Sequence, residues 1–388
     1  MRLRVDIWIQ IGDLHEQMGS SEMALKAYEK ALAHYPHSVS ALTKYAHICR
    51  TLENYDEAIE FFQRVLSLEP GLSDVWEAVA HCYLVTDQLA LAYSAYQNAF
   101  KCTANKRDPK LWYGIGILYD QFGSYDLAEE AFSTVMQLDA KFDKANEIYF
   151  RLSMLYKGQS RFDKSLECLD YVIANPPPPL TKCDLWFQIG HVHELAKDYS
   201  RAREAYEKVL AINPDHIKVL QQLGWLYAQP GTSFTDTKQA EELLSRAITK
   251  DDKEGQSWYL LGRCNMLTRN HSGAYDCYQQ AVFRDSNNAQ FWCSIGVLYF
   301  QISQYRDALD AYSRALRFNS QLSEVWHNLG TLYETCNNQV DDAINAYSRA
   351  LEYDSGNEEV KQRLRVLQHA QSTGNSANLA SEIPHPQD

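Results

Sequence analysis

One pattern recurs about every 34 residues along this chain and leaves few folds open to it. In the first copy it reads Trp8, Ile11, Gly12, Ala24, Tyr28, Ala31 and Pro36. It returns as Trp292, Ile295, Gly296, Tyr299, Ala308, Tyr312 and Ala315. Spacings of three and four put residues on one helix face, and a proline lacks the N–H a helix needs to continue. Each copy therefore reads as two antiparallel helices that bury their faces mainly against neighbouring copies.

Aligned on the Trp position, ten repeats open near Val5, Val39, Ser73, Pro109, Asn146, Cys183, Ile217, Gly255, Ala289 and Ser323. The anchor is Trp in seven of them and Leu42, Tyr149 or Leu220 in the rest, a bulk expected to fill the gap between neighbouring repeats. Four residues on comes a small residue, mostly Gly, although Gly inside a helix costs about 1 kcal/mol relative to Ala. Close approach of the second helix, with its own small residue (Ala24, Ala58, Ala92, Ala128, Ser165 and their counterparts), offsets that cost. The spacing is the tetratricopeptide signature. The expected fold is all-α: a tetratricopeptide-repeat solenoid, a right-handed superhelix of antiparallel helix pairs, with about ten repeats. Val360, Leu364 and Leu367 predict a capping helix over 357–369, and the polar stretch 370–388 predicts a disordered tail.

Charge and composition narrow the function. With 37 Lys and Arg against 50 Asp and Glu, the net charge of −13 opposes binding to a phosphate backbone and favours protein partners. The nine Cys form no CxxC pair, and no apolar run nears the roughly 18 residues of a membrane span. These features, with a start that enters the first repeat directly, predict an intracellular, soluble protein. His191 and His193, two residues apart on a helix, point away from each other, and His34 and His37 flank Pro36 in a turn. No catalytic motif, metal site or cofactor site is expected, and the reading is non-enzymatic.

The irregularities are more specific than the repeat. The run Pro176 to Pro179 predicts a stiff, extended spacer. About four extra residues around Pro230, Gly231, Thr232 and Ser233 lengthen the turn within the seventh repeat, one extra residue lies in 336–339, and the junction at Asn105 to Asp108 is enlarged. With the strings LWYGIGILYDQFGSYDLAEEAF (111–132), KANEIYFRL (144–152), KVLQQLGWLYAQ (218–229), WCSIGVLYFQISQYRDALDAYSRAL (292–316) and GTLYETCNNQ (330–339), these features carry a resemblance. Over residues 5–367 the chain resembles the tetratricopeptide subunit of the fungal general transcriptional co-repressor, the partner of the Tup-type WD-repeat protein. The long disordered extensions of fungal members are missing, so functions that depend on them are not carried over. Neither is the demethylase activity of animal relatives, whose jumonji domain lies far downstream of the repeats.

The resemblance implies a nuclear scaffold that bridges DNA-bound, sequence-specific repressors to the Tup-type partner, with histone-modifying complexes as further partners. It divides the chain into repeats one to three (5–104), which would hold the helical amino-terminal segment of the Tup-type protein, and repeats four to ten (105–356), which would hold repressors. The second, fifth, ninth and twelfth positions of each first helix are expected to line the concave groove. For the Tup-type helix these include Ile9, Asp13, Glu16, Thr43, His47, Arg50, Glu77, His81 and Leu84. For the repressors they include Tyr113, Phe150, Phe187, Trp225, Tyr259 and Phe300. The alternative for these aromatics is packing along the solenoid. Two other readings share the repeat class. A chaperone adaptor would capture acidic carboxy termini with converging basic groups, but Arg50, Lys110, Lys157, Lys218 and Arg263 are spread over separate repeats. A scaffold subunit of a cell-cycle ubiquitin ligase lacks support from the specific strings.

Overall fold

The computed structural model describes residues 2–102, 108–337, 339–373 and 386, and among them every regular element is an α-helix. In chain order these are α1 (Arg2–Gln17), α2 (Ser21–His34), α3 (Val39–Thr51), α4 (Tyr55–Leu68), α5 (Ser73–Val85), α6 (Leu89–Cys102), α7 (Pro109–Gln121), α8 (Tyr125–Leu138), α9 (Ala145–Gly158) and α10 (Phe162–Val172). There follow α11 (Lys182–Leu195), α12 (Tyr199–Ile212), α13 (Ile217–Ala228), α14 (Thr237–Lys250), α15 (Gly255–Leu267) and α16 (His271–Arg284). The last are α17 (Ala289–Gln301), α18 (Tyr305–Phe318), α19 (Ser323–Asn337), α20 (Val340–Tyr353) and α21 (Glu358–Thr373). They form two compact units, Met1–Leu185 and Trp186–Asp388.

In the first unit α1 packs on α2, α3 on α4, α5 on α6, α7 on α8 and α9 on α10; in the second, α13 packs on α14, α15 on α16, α17 on α18 and α19 on α20. Within each unit, each pair also meets the next. Successive first helices touch as well, α5 with α7 in one unit and α13 with α15, α15 with α17 and α17 with α19 in the other.

The small residue of each first helix has a more specific role than close helix approach. A Cβ on Gly262 would lie 2.5 Å from the Tyr278 ring, on Gly190 2.5 Å from Tyr206 and on Gly330 2.6 Å from Tyr347. The aromatic of the second helix thus fills the space that a side chain would occupy, and Tyr28, Tyr206, Tyr278, Tyr312 and Tyr347 are completely buried. Where Ala80 holds that place in the third repeat, Tyr96 instead lies against Gly114 of the fourth.

The Trp anchors are half-buried: Trp76, Trp112, Trp292 and Trp326 pack against the core, and Trp112 meets Phe100 of the preceding repeat edge-on at 5.9 Å. The indole N–H groups of Trp76, Trp292 and Trp326 donate to the carbonyls of Pro70, Ser286 and Ser320, each at 2.9 Å, and so fasten the turn six residues upstream. The other side of the ring takes a cation from the second helix. Lys30 lies over Trp8, Lys208 over Trp186 at 3.9 Å, Arg314 over Trp292 and Arg349 over Trp326. The turns between repeats are also closed by Asp or Asn side chains. Asp139, Asp251, Asp285, Asn319 and Asp354 each accept the N–H two residues on, fixing the turn without proline.

The irregular segments fold differently from the sequence expectation in one case. α10 stops at Val172, and the proline run closes a turn in which Leu180 N–H donates to Pro177 O (2.9 Å), so it is not an extended spacer. The seventh-repeat insertion is anchored by Phe234, edge-on to Tyr227 at 5.6 Å with Arg203 over its other side. Asp236 then accepts from Lys238 N and Gln239 N to start α14. Residue 338 of the tenth-repeat insertion and residues 103–107 of the enlarged junction lie outside the described residues.

At the carboxy-terminal end α21 buries Val360 and Leu367 against Tyr347 and Ala350. Arg363 makes three hydrogen bonds to the Glu334 carboxylate on α19, the shortest 2.6 Å, with side chains 5% and 4% exposed. The helix continues to Thr373, past the expected end at 369, so the tail expected from residue 370 is helical at its start. Beyond Thr373 it falls outside the described residues except at residue 386.

Candidate protein-binding groove

In the first compact unit the inner residues of α1, α3, α5, α7 and α9 carry charges that meet across repeats. Lys44 pairs with Asp13, which also accepts from the Tyr28 hydroxyl at 2.8 Å. Exposed Glu16 accepts a second bond from Tyr28 at 3.3 Å. Arg151 bridges Glu147 (3.0 Å) and Asp120 (3.3 Å). Thr43 and His47 are brought together on one concavity of about 400 Å³, with Lys44, Leu72 and Asp74. His47 and His81 are half-buried, and burial with the Arg50 charge lowers both imidazoles below their ordinary range, which keeps them neutral. Ile9 packs sideways on the core, and Leu84, 6% exposed, belongs to the core itself.

Glu77 is the most perturbed carboxyl of this region. Burial, with Asp108 and Asp74 nearby, pushes it up to about 7. The folded chain holds this proton more tightly than the unfolded one. The stability so gained is therefore complete below about 4.5, the ordinary value, and is lost as pH rises through 7. Glu77→Gln is accordingly expected to raise stability at pH 8 by about 1–2 kcal/mol and by less at pH 5. Urea denaturation at the two pH values checks this, and an equal gain at both would sink it.

The aromatic positions divide into core and groove. Tyr259, 2% exposed, stacks on Phe291 at 5.0 Å and lies against Tyr278, and Tyr113 is enclosed by Phe132 and Phe142. Both belong to the core, contrary to the groove role expected for them. In these two repeats the fifth position of the first helix is covered by the chain leading into the next repeat, through Phe142 and Phe291. Phe187 occupies the same position but stays half-buried, stacked beside His191 and against His216 at 5.7 Å. Phe150 and Trp225 are also half-buried, as is Phe300, which meets Tyr305 edge-on at 5.5 Å. Arg263 lies over Trp225 at 4.2 Å and reaches Tyr259 at 5.9 Å, joining two repeats through one guanidinium. Sequence reasoning counted Arg263 among the basic groups of the groove but missed its seat over Trp225. Its signal was a basic residue at the ninth position, one repeat after an aromatic at the same position.

Chemically the groove offers side chains for binding. The described residues hold no cluster of three or more His, Cys, Asp or Glu able to bind a metal ion. Burial pushes the thiols of Cys82, Cys168, Cys264 and Cys277 up to about 11, which makes them poor nucleophiles. No described helix is long and apolar enough to cross a membrane.

Tetratricopeptide-repeat families match residues 3–69, 109–142, 183–216, 234–289 and 289–322, together more than half of the chain. The chain belongs to the tetratricopeptide-repeat family. A solved tetratricopeptide-repeat protein from Parabacteroides merdae shares the fold, with a TM-score of 0.57, 13% identity and coverage of 67% of this array and 98% of that chain. Sequence similarity is more specific. The array is 54% identical over 278 residues, 72% of its length, to the general transcriptional corepressor trfA of Dictyostelium discoideum, of which it covers 20%. It is 52% identical over 278 residues to the general transcriptional corepressor ssn6 of Schizosaccharomyces pombe, of which it covers 25%. The array is thus homologous to part of the general transcriptional corepressors, as its strings and insertions implied, and spans about a quarter or less of these relatives' lengths.

Proposed function

We propose that the array is a non-enzymatic scaffold of a transcriptional corepressor complex, acting in the nucleus. It would bridge DNA-bound repressors to a Tup-type WD-repeat corepressor through the inner faces of its first helices. The observation that carries this reading is identity above 50% to two general transcriptional corepressors. The groove supports it in kind. Around Thr43 and His47 it is polar and concave, suited to an amphipathic helix with complementary charge, while Phe187 and Trp225 offer apolar anchors to short segments. The chaperone-adaptor reading is disfavoured because two basic groups of the first unit's inner face, Lys44 and Arg151, already pair with Asp13 and with Asp120 and Glu147. A carboxylate clamp needs such groups unpaired.

Calorimetry with the purified protein tests the proposal. The helical amino-terminal segment of a Tup-type protein is expected to bind, and Thr43→Arg with His47→Glu to weaken it at least about tenfold. Phe187→Ala with Trp225→Ala is expected to weaken repressor binding by a similar factor, about tenfold, and to leave the Tup-type segment bound. Loss of both partners in the second variant, with helicity and melting intact, would refute two separable regions. No binding of the Tup-type segment by the intact array would refute the bridge.

A further inference from the structure

The solvent-facing side of α6 combines three features. It is flanked by two apolar cavities, it exposes large apolar side chains between them, and it is free of acidic groups in an acidic protein. One cavity, of about 350 Å³, is walled by Tyr93, Phe100, Trp112, Ile115 and Tyr119, with Gln97 and Lys101 at its rim. The other, of about 410 Å³, lies on the opposite flank of the helix between Trp76, Val79, Tyr83 and Leu91, with Ser94 and Asn98 beside it. Leu91 and Tyr93, on the ridge between them, are 47% and 41% exposed. In a chain of net charge −13 no acidic residue occurs between Asp87 and Asp108, and α6 itself carries the single charge of Lys101.

We propose that this face of α6 is a docking site for an acidic protein segment that crosses the helix with one large apolar side chain in each cavity. Two anchors are needed because the cavities are separate and have no lining residue in common. The acidic character follows from Lys101. Its ammonium stands exposed at the mouth of the Tyr93 cavity and has no ion-pair partner among the described residues, so a carboxylate beside the anchor completes it. The absence of carboxylates along α6 removes the repulsion that most of this protein's surface would exert on such a segment. The rim groups Gln97, Ser94 and Asn98 supply donors and acceptors for the backbone of the occupant. None of Thr43, His47, Phe187 and Trp225 lines either cavity, so the proposal stands or falls independently of the bridging function.

The test is fluorescence anisotropy of the full chain with a labelled Glu-Asp-Leu-Asp-Ala-Glu-Phe-Glu peptide. Wild-type protein is expected to bind it saturably, and Lys101→Glu and Tyr93→Ala each to weaken binding about tenfold. Replacing the peptide's acidic residues by lysine, or its Leu and Phe by alanine, is expected to abolish binding. All substituted positions are exposed, and circular dichroism confirms that the variants remain folded. Absence of peptide binding by the wild type, unchanged affinity in both variants, or equal binding of an oligothymidine strand overturns the proposal.

Discussion

Replacing Arg363 by alanine is expected to cost about 3–5 kcal/mol, because it leaves the Glu334 carboxylate buried without its cation. The two side chains are 5% and 4% exposed, and each guanidinium contact to Glu334 is a charge-assisted hydrogen bond. In a repeat array the loss does not spread evenly. It falls first on the interface of α21 with α19 and α20, since stability there is a sum of local and nearest-neighbour terms. Hydrogen exchange should therefore show α21 opening while α13 to α18 keep their protection. The double replacement Arg363→Met with Glu334→Leu is expected to restore most of the stability, because apolar side chains of similar volume pack without any desolvation cost. A single variant that unfolds no more readily than the parent in urea would show that the pair is not buried in solution.

The second large effect concerns the contact between glycine and tyrosine inside each repeat. Gly262→Ala would gain nearly 1 kcal/mol from helix propensity alone, yet its Cβ would stand 2.5 Å from the Tyr278 ring. That ring is completely buried and has no room to retreat, so the net change is expected to be a loss of about 1–3 kcal/mol. Tyr278→Ala removes the ring altogether and is expected to cost about 3–5 kcal/mol through the cavity it leaves. Combining Gly262→Ala with Tyr278→Leu should recover part of the loss, since Leu244 already fills the corresponding space over Gly224. Strictly additive losses in denaturation would show that the two positions do not touch.

Helix positions were legible in the sequence because period and small residues encode them directly. The openings read at Val39, Ser73, Pro109, Ile217, Gly255, Ala289 and Ser323 are the first residues of α3, α5, α7, α13, α15, α17 and α19. The partners of those residues were less legible. The glycine pattern announces a close contact but not whether backbone or ring makes it, and the Trp pattern announces bulk but not the carbonyl and cation that hold it. The groove was the least legible part. Tyr259 and Phe187 share one position in the repeat, and what separates core from surface is the following repeat, which supplies Phe291 in one case and His216 in the other. A periodic alignment averages over that difference. The proline run was misjudged for a related reason: local stiffness fixes φ at each residue but leaves open whether the path as a whole turns.

Identical parts have a consequence for assembly order. Gly190 with Tyr206, Gly262 with Tyr278, Gly296 with Tyr312 and Gly330 with Tyr347 are interchangeable locks and keys. During folding, a helix that lost its place would meet an equally shaped partner in another repeat, and pairing there would loop out the skipped segment as a kinetic trap. The exceptions work against this degeneracy. Leu244 over Gly224 and the Ser165 hydroxyl bonded to the Ser153 carbonyl at 2.8 Å replace the contact of glycine with an aromatic ring by one of different shape. Spaced through the chain, such exceptions would act as index marks that favour a single order of stacking.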